Sequence, residues 1–191
     1  MSSLQIESSH FDLKVSMRIE HIPSNPRVKV LDVYSANGDI WNTIQKKIPE
    51  KKFQITRLEQ RKDCAGVYLR GDNRKFIQSL PIEQYDIIDF DSYGCCYPSL
   101  SLIAERISVH TVCFFTQIQV QKNFGGMNTG LLYSLGYTKA MLFKTKSIFS
   151  KNGNKKFIDY LSSVNFKNAI IYQGQNREQG KWYIVGKKGK I

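Results

Sequence analysis

Three features of the 191-residue sequence predict an α/β fold, with a doubly wound, mostly parallel seven-stranded sheet, helices on both faces and a C-terminal antiparallel hairpin. Short runs of β-branched and aromatic residues alternate with stretches whose apolar residues recur every three or four positions. Each early run ends in a small or polar turn, and the intervening helical stretches stop at Pro49 and Pro81. The last residues hold two further strand-like runs joined by a polar loop. Strands alternating with helices build βαβ units, whose right-handed crossovers lay the strands parallel.

In chain order, residues 1–26 form an extension of mixed pattern, closed by Pro23 and Pro26. Residues 28–34 read as a buried strand ended by Ser35-Ala36-Asn37-Gly38. A helix follows over 39–48, with Ile40, Trp41, Ile44 and Ile48 on one face. Residues 53–58 alternate as the second strand and meet Glu59, while 67–69 form a short third strand before Arg70-Gly71-Asp72-Asn73. A helix over 74–80 leads to a fourth strand over 85–90. Beyond Pro98, Leu100, Ile103, Ala104 and Ile107 share a helical face, and residues 109–118 read as the fifth strand. Residues 121–150 are irregular, with a short helix near 127–135, and suit a substrate-facing insertion. Residues 157–161 continue a helix, and 169–173 and 182–185 pair as the terminal hairpin. The reading is thus one domain over 27–191 behind the 1–26 extension.

Composition narrows the function. Apolar residues make up 41% and aromatics 12%, as in a globular protein. No stretch approaches the roughly 20 consecutive apolar residues of a membrane helix. The first residues lack the basic-then-apolar pattern of a secretory leader. Cys64, Cys95, Cys96 and Cys113 show no CxxC spacing, which fits reduced thiols in a cytoplasmic protein. His10, His21 and His110 have no acid or cysteine at ligand spacing, so no metal is expected. The net charge of +12 is uneven: residues 139–191 carry 12 basic residues against Asp159 and Glu178 alone. That asymmetry points to a polyanionic partner, a nucleic acid.

Chemistry gathers at the strand ends, where ligands of open α/β sheets bind. After the first strand, small residues at Ser35, Ala36 and Gly38 let a ligand approach the backbone, and Asp32 can orient a charged amino group. Glu59 lies 21 residues beyond Gly38, close to the spacing of an acid that grips ribose hydroxyls. Asp72 and Asn73 suit an adenine edge, although either can also cap the next helix. The fourth strand ends in Asp89-Phe90-Asp91-Ser92-Tyr93-Gly94, a charged and aromatic close to an apolar run. Each cluster suits part of an adenosine-containing ligand.

Residues Asp32-Val33-Tyr34-Ser35-Ala36-Asn37-Gly38 resemble the first motif of class I S-adenosylmethionine-dependent methyltransferases, in the D-x-x-S-A-x-G form of tRNA guanine-N2 methyltransferases. Ile88-Asp89-Phe90-Asp91-Ser92-Tyr93-Gly94 resembles their I-D-x-D-P-Y-G motif, a relative of the D-P-P-Y motif of amino-methyltransferases. The likeness spans residues 28–118. Tyr34 and Ala36 stand where most class I enzymes carry glycine, and Ser92 replaces a proline. The resemblance implies a Rossmann-like methyltransferase fold and S-adenosyl-L-methionine as cofactor, held by Asp32, Ser35, Asn37, Gly38, Glu59, Asp72 and Asn73. It further implies methyl transfer to an exocyclic amine of an RNA or DNA base, with Asp91, Ser92 and Tyr93 as the catalytic set. A basic nucleic-acid-binding module without catalysis is the alternative on the same fold.

Overall fold

The computed structural model describes residues 10–64, 69–92, 96–117, 129–144, 153–173 and 182–190. Helix α1 (Phe11–Glu20) precedes strand β1 (Arg27–Asp32), helix α2 (Asp39–Lys47) and strand β2 (Lys52–Glu59). Strand β3 (Leu69–Arg70), helix α3 (Asn73–Ser79), strand β4 (Ile87–Phe90), helix α4 (Tyr97–Ile103) and strand β5 (Val112–Gln117) follow. Helices α5 (Thr129–Ser134), α6 (Lys139–Lys144) and α7 (Gly153–Ser163) then lead to strands β6 (Phe166–Gln173) and β7 (Trp182–Lys188).

The strands form one seven-stranded sheet in the order β3-β2-β1-β4-β5-β7-β6. Strands β1 to β5 pair in parallel, while β7 lies antiparallel to both β5 and β6. The predicted doubly wound architecture with its closing hairpin is therefore the observed one. Two apolar layers sandwich the sheet. On one face Leu31, Val33, Ile88, Phe90, Cys113 and Phe115 pack under α3, α4 and α7. On the other, Val28, Val30, Ile87, Val112 and Phe114 pack with Trp41 and Ile44 of α2 and Val15 and Met17 of α1. Alternation along each strand produces this division, since successive side chains point to opposite faces.

The differences from the sequence reading are local. Strand β1 ends at Asp32 rather than at residue 34, because residues 33–38 turn to meet the ends of β4 and β2: Val33 N–H donates to Asp89 O and Ser35 N–H to Leu58 O. Strand β5 starts at Val112, not at 109, since His110 takes a left-handed backbone (φ 74°). Residues 67 and 68 of the expected third strand lie outside the described residues, as do 121–128 and 145–150 of the irregular stretch. Helix α6 was not anticipated. Neither was α1, whose buried face includes Arg18 and so breaks the apolar periodicity that would betray it. No helix among the described residues is long and apolar enough to cross a membrane.

Candidate active site

The turn after β1 is held by its surroundings. Ala36 (φ 47°) and Gly38 (φ 73°) are both left-handed, a region that side-chain-bearing residues occupy only at a cost. Ala36 N–H donates to Glu59 Oε2 at 2.7 Å, and Gly38 N–H to Ser35 O at 2.7 Å. The other Glu59 oxygen accepts Arg61 N–H at 2.8 Å. Glu59 is buried, yet each of its oxygens keeps a second lone pair for a ligand. Gly38 suits its left-handed φ, and a Cβ there would lie 2.9 Å from Arg57 Nε, so the arginine head would have to shift. Arg57 in turn donates to Asn42 Oδ1 at 2.6 Å.

Asn73 reaches back under the same turn, where its buried Nδ2 donates to Val33 O at 2.6 Å. Its Oδ1 has no partner among the described residues, and neither does the buried Ser35 Oγ. Asp72 caps α3 by accepting Arg74 N–H at 3.0 Å, and Asn37 is half-buried in the turn. Five of the residues read as cofactor-holding, Asp32, Ser35, Gly38, Glu59 and Asn73, thus surround the carboxyl end of β1. Asp72 stands at the edge of that group.

A cluster of acids lies on the opposite face of β1 and β4. Asp32 and Asp89 are register partners on these neighbouring strands, and Asp91 continues the same face. Helix α1 answers them with two cations. Arg18 donates from Nε and Nη2 to the two oxygens of Asp89, both at 2.7 Å, and Trp41 Nε1 adds a bond at 2.8 Å. Lys14 Nζ lies 2.9 Å from both oxygens of Asp91, and Thr116 Oγ1 donates to Oδ1 at 2.5 Å. The Arg18 guanidinium also stacks over Phe114 at 5.2 Å.

Three carboxyls, Asp32 and Asp89 buried and Asp91 partly buried, face two cations, and the mismatch falls on Asp32. Burial, and next the Asp89 carboxylate, push its pKa up to about 8. Arg18 offsets only part, as does the Ser35 hydroxyl, which comes close without hydrogen-bond geometry. Asp91 behaves oppositely. Burial opposes its ionisation, but Lys14, Arg18 and Thr116 outweigh burial and hold the carboxyl below its usual range.

Ser92 is buried, with its N–H bonded to Phe90 O at 2.8 Å and its Oγ donating to Thr116 O at 3.4 Å. Tyr93 lies outside the described residues. Sequence reasoning passed over Lys14, Arg18 and Thr116, and read Trp41 only as an apolar residue on the inner face of its helix. The spacing of Asp89 and Asp91 around Phe90 was a usable signal, since residues two apart on a strand share a face. Nothing local marked their partners.

No family model and no curated protein sequence matches the chain. Solved structures match it in fold. A SAM-dependent methyltransferase from Archaeoglobus fulgidus superposes with a TM-score of 0.57 at 13% identity, over 93% of this chain and 94% of that one. TYW2 from M. jannaschii, in complex with AdoMet, gives 0.56 at 13% identity, over 98% and 80%. Human N-acetylserotonin methyltransferase in complex with SAM gives 0.53 at 14% identity, over 94% and 53%. The chain spans about half the length of that last protein and of the carbon methyltransferases CurJ and DszA. The fold is that of the class I methyltransferases.

Proposed function

On that fold, we propose that the chain is an S-adenosylmethionine-dependent methyltransferase acting on an exocyclic amine of a nucleic-acid base. The observation that carries the cofactor is the set of unmet polar groups around the end of β1. Among the described residues Asn73 Oδ1 and Ser35 Oγ have no hydrogen-bond partner, and Asp32 shares Arg18 with Asp89 without an ion pair of its own. S-adenosylmethionine offers an amino-bearing adenine, hydroxyls and two cationic centres, so the donor set fits. Glu59 would take the ribose hydroxyls, Asn73 with Asp72 the adenine edge, and Gly38 and Asn37 the close approach. Asp32 would face the amino group.

When bound, the cofactor supplies an electrophilic methyl group on a sulfonium centre. The protein's task is to aim the acceptor amine. Asp91, with the Ser92 carbonyl, would accept hydrogen bonds from the amine and so direct the nitrogen lone pair. Tyr93 is assigned the stacking role by the resemblance. Because Asp91 is held below the usual carboxyl range, it is a weak base and serves as an orienter. The amine proton would pass to solvent once the new N–C bond has replaced the sulfonium S–C bond, whose electron pair stays on sulfur. Positioning of this kind is worth up to roughly 7–11 kcal/mol. The nucleic-acid part of the reading rests on the D-S-Y-G motif and the basic 139–191 segment. A second reading, a binding module without catalysis, is favoured by the engagement of both Asp91 oxygens by Lys14 and Thr116.

Calorimetric titration with S-adenosylmethionine tests the cofactor site. One-site binding, weakened at least tenfold by Glu59→Ala, is the expected outcome, followed by incorporation of labelled methyl into RNA or DNA. Absence of binding at millimolar cofactor would leave only the non-catalytic module.

A further inference from the structure

Gln117 ends β5 fully buried, and neither its Nε2 nor its Oε1 has a partner among the described residues. Buried polar side chains almost always pair with something. Leucine or methionine would fill the same volume without stranding an amide. Its surroundings are apolar: Phe115 precedes it on the same face of the strand, and Trp182 lies directly opposite on β7.

Its position gives the amide meaning. Phe90 and Phe115 are register partners on β4 and β5, and their rings stack at 5.5 Å. Just beyond Phe90 the chain turns, with Ser92 N–H donating to Phe90 O at 2.8 Å. Ser92 Oγ donates to the carbonyl of Thr116, the residue just before Gln117. The unpaired carboxamide therefore lies next to the Asp91-Ser92 turn to which the acceptor amine is assigned. A carboxamide presents a donor and an acceptor side by side. The complementary group is an amine next to a ring nitrogen, and glutamine makes this kind of bidentate contact with adenine in nucleic-acid complexes.

We propose that Gln117 is a specificity-determining residue for the methyl acceptor, pairing with the edge of an amino-bearing nucleobase. Oε1 accepts one amine hydrogen and Nε2 donates to the adjoining ring nitrogen. The second amine hydrogen stays available to the Ser92 carbonyl. A base that enters this site leaves its stack first. The inference rests on the acceptor reading given above.

The test measures kcat/KM for methyl incorporation into single-stranded oligonucleotides with wild-type protein, Gln117→Leu and Gln117→Met. Each is run on the preferred base and on an analogue whose ring nitrogen beside the amine is replaced by C–H. Wild type is expected to lose at least 30-fold on the analogue. Gln117→Leu is expected to lose at least 100-fold on the natural base and to treat both bases alike. Its affinity for S-adenosylmethionine should stay within threefold, and its unfolding midpoint should equal or exceed that of wild type, because a stranded amide is gone. A wild type indifferent to the ring nitrogen, or either variant retaining full kcat/KM, overturns the role of Gln117 and leaves the methyltransferase reading intact. A wild type that binds cofactor yet methylates no nucleic acid overturns both.

Discussion

Asp32 is a buried carboxyl set between an anionic and a cationic neighbour, and its behaviour with pH measures that balance. Its folded pKa of about 8 stands well above the ~3.9 of an exposed aspartate. The native state then holds a proton that the unfolded chain has released, so this residue makes stability fall as pH rises. Its contribution is complete below the unfolded value and is lost as pH climbs through the folded one. In denaturant titrations without ligand, Asp32→Asn should flatten the decline between roughly pH 4 and 8 and make the protein more stable than wild type at the alkaline end. The same variant should bind S-adenosylmethionine more weakly, since the cationic ligand loses its counter-charge. An unchanged pH profile would mean that Asp32 is ionised throughout. Asp91 works on the acid side: its depressed pKa adds stability above the unfolded value that is lost as pH falls through the folded one. Gly38 offers a simpler check. Gly38→Ala must adopt a left-handed φ and push Arg57 aside, so reduced cofactor affinity and a lower unfolding midpoint are expected together.

Helix α1 converts an acidic strand edge into a stable interior. Both of its ends are tied to the C-terminal hairpin, His10 Nδ1 to Tyr183 OH at 3.1 Å and His21 Nε2 to Tyr172 OH at 2.9 Å. Between these anchors Arg18 and Lys14 meet Asp89 and Asp91, partners more than 70 residues away. Removing one member of a fully buried ion pair strands the other, at a cost of about 3–5 kcal/mol. Arg18→Met should therefore lower the denaturation midpoint sharply, whereas a loss under 1 kcal/mol would show that Asp89 finds a proton or another donor. The helix was illegible because its chemistry is not local. An arginine at a core position reads as a surface residue until its carboxylate partner is known. Helix α3, in contrast, was legible from its cap: Asp72 accepts from the backbone at the start of the helix, a short-range bond that sequence spacing encodes.

Across the whole molecule, the described lysines of the C-terminal segment do not form one patch. Lys187 pairs in register with Val112, the first residue of β5, which places it at the sheet end away from the candidate site. Lys167 faces Lys187 across the hairpin at that same end. Lys188 is buried there, donating to Ala104 O at 2.9 Å and Val164 O at 2.6 Å. Lys139 and Lys144 on α6 and Lys155 on α7 are exposed, while Lys156 donates to Gly136 O just before α6. For the nucleic acid of the proposed function, the exposed α6–α7 lysines are the expected contacts. Replacing Lys139 and Lys144 with alanine should reduce the slope of log affinity against log salt by about 0.7 per lost single-strand phosphate contact. Replacing Lys167 and Lys187 should leave it unchanged. Equal effects from both pairs would mean that charge acts without geometry.

The amino-acid sequence by itself determined the strand and helix alternation, the closing hairpin, and the acids and small residues at the strand ends. Strand periodicity, turn chemistry and helix caps are all written within a few residues of where they act. The tertiary structure alone decided the sheet order, the docking of α1 over Asp32, Asp89 and Asp91, and the burial of Lys188. It also decided the isolation of the Gln117 amide. Each of these depends on which distant segment arrives opposite a residue, and that identity sets whether a charge is paired, a carboxyl protonated or an amide left waiting for a ligand.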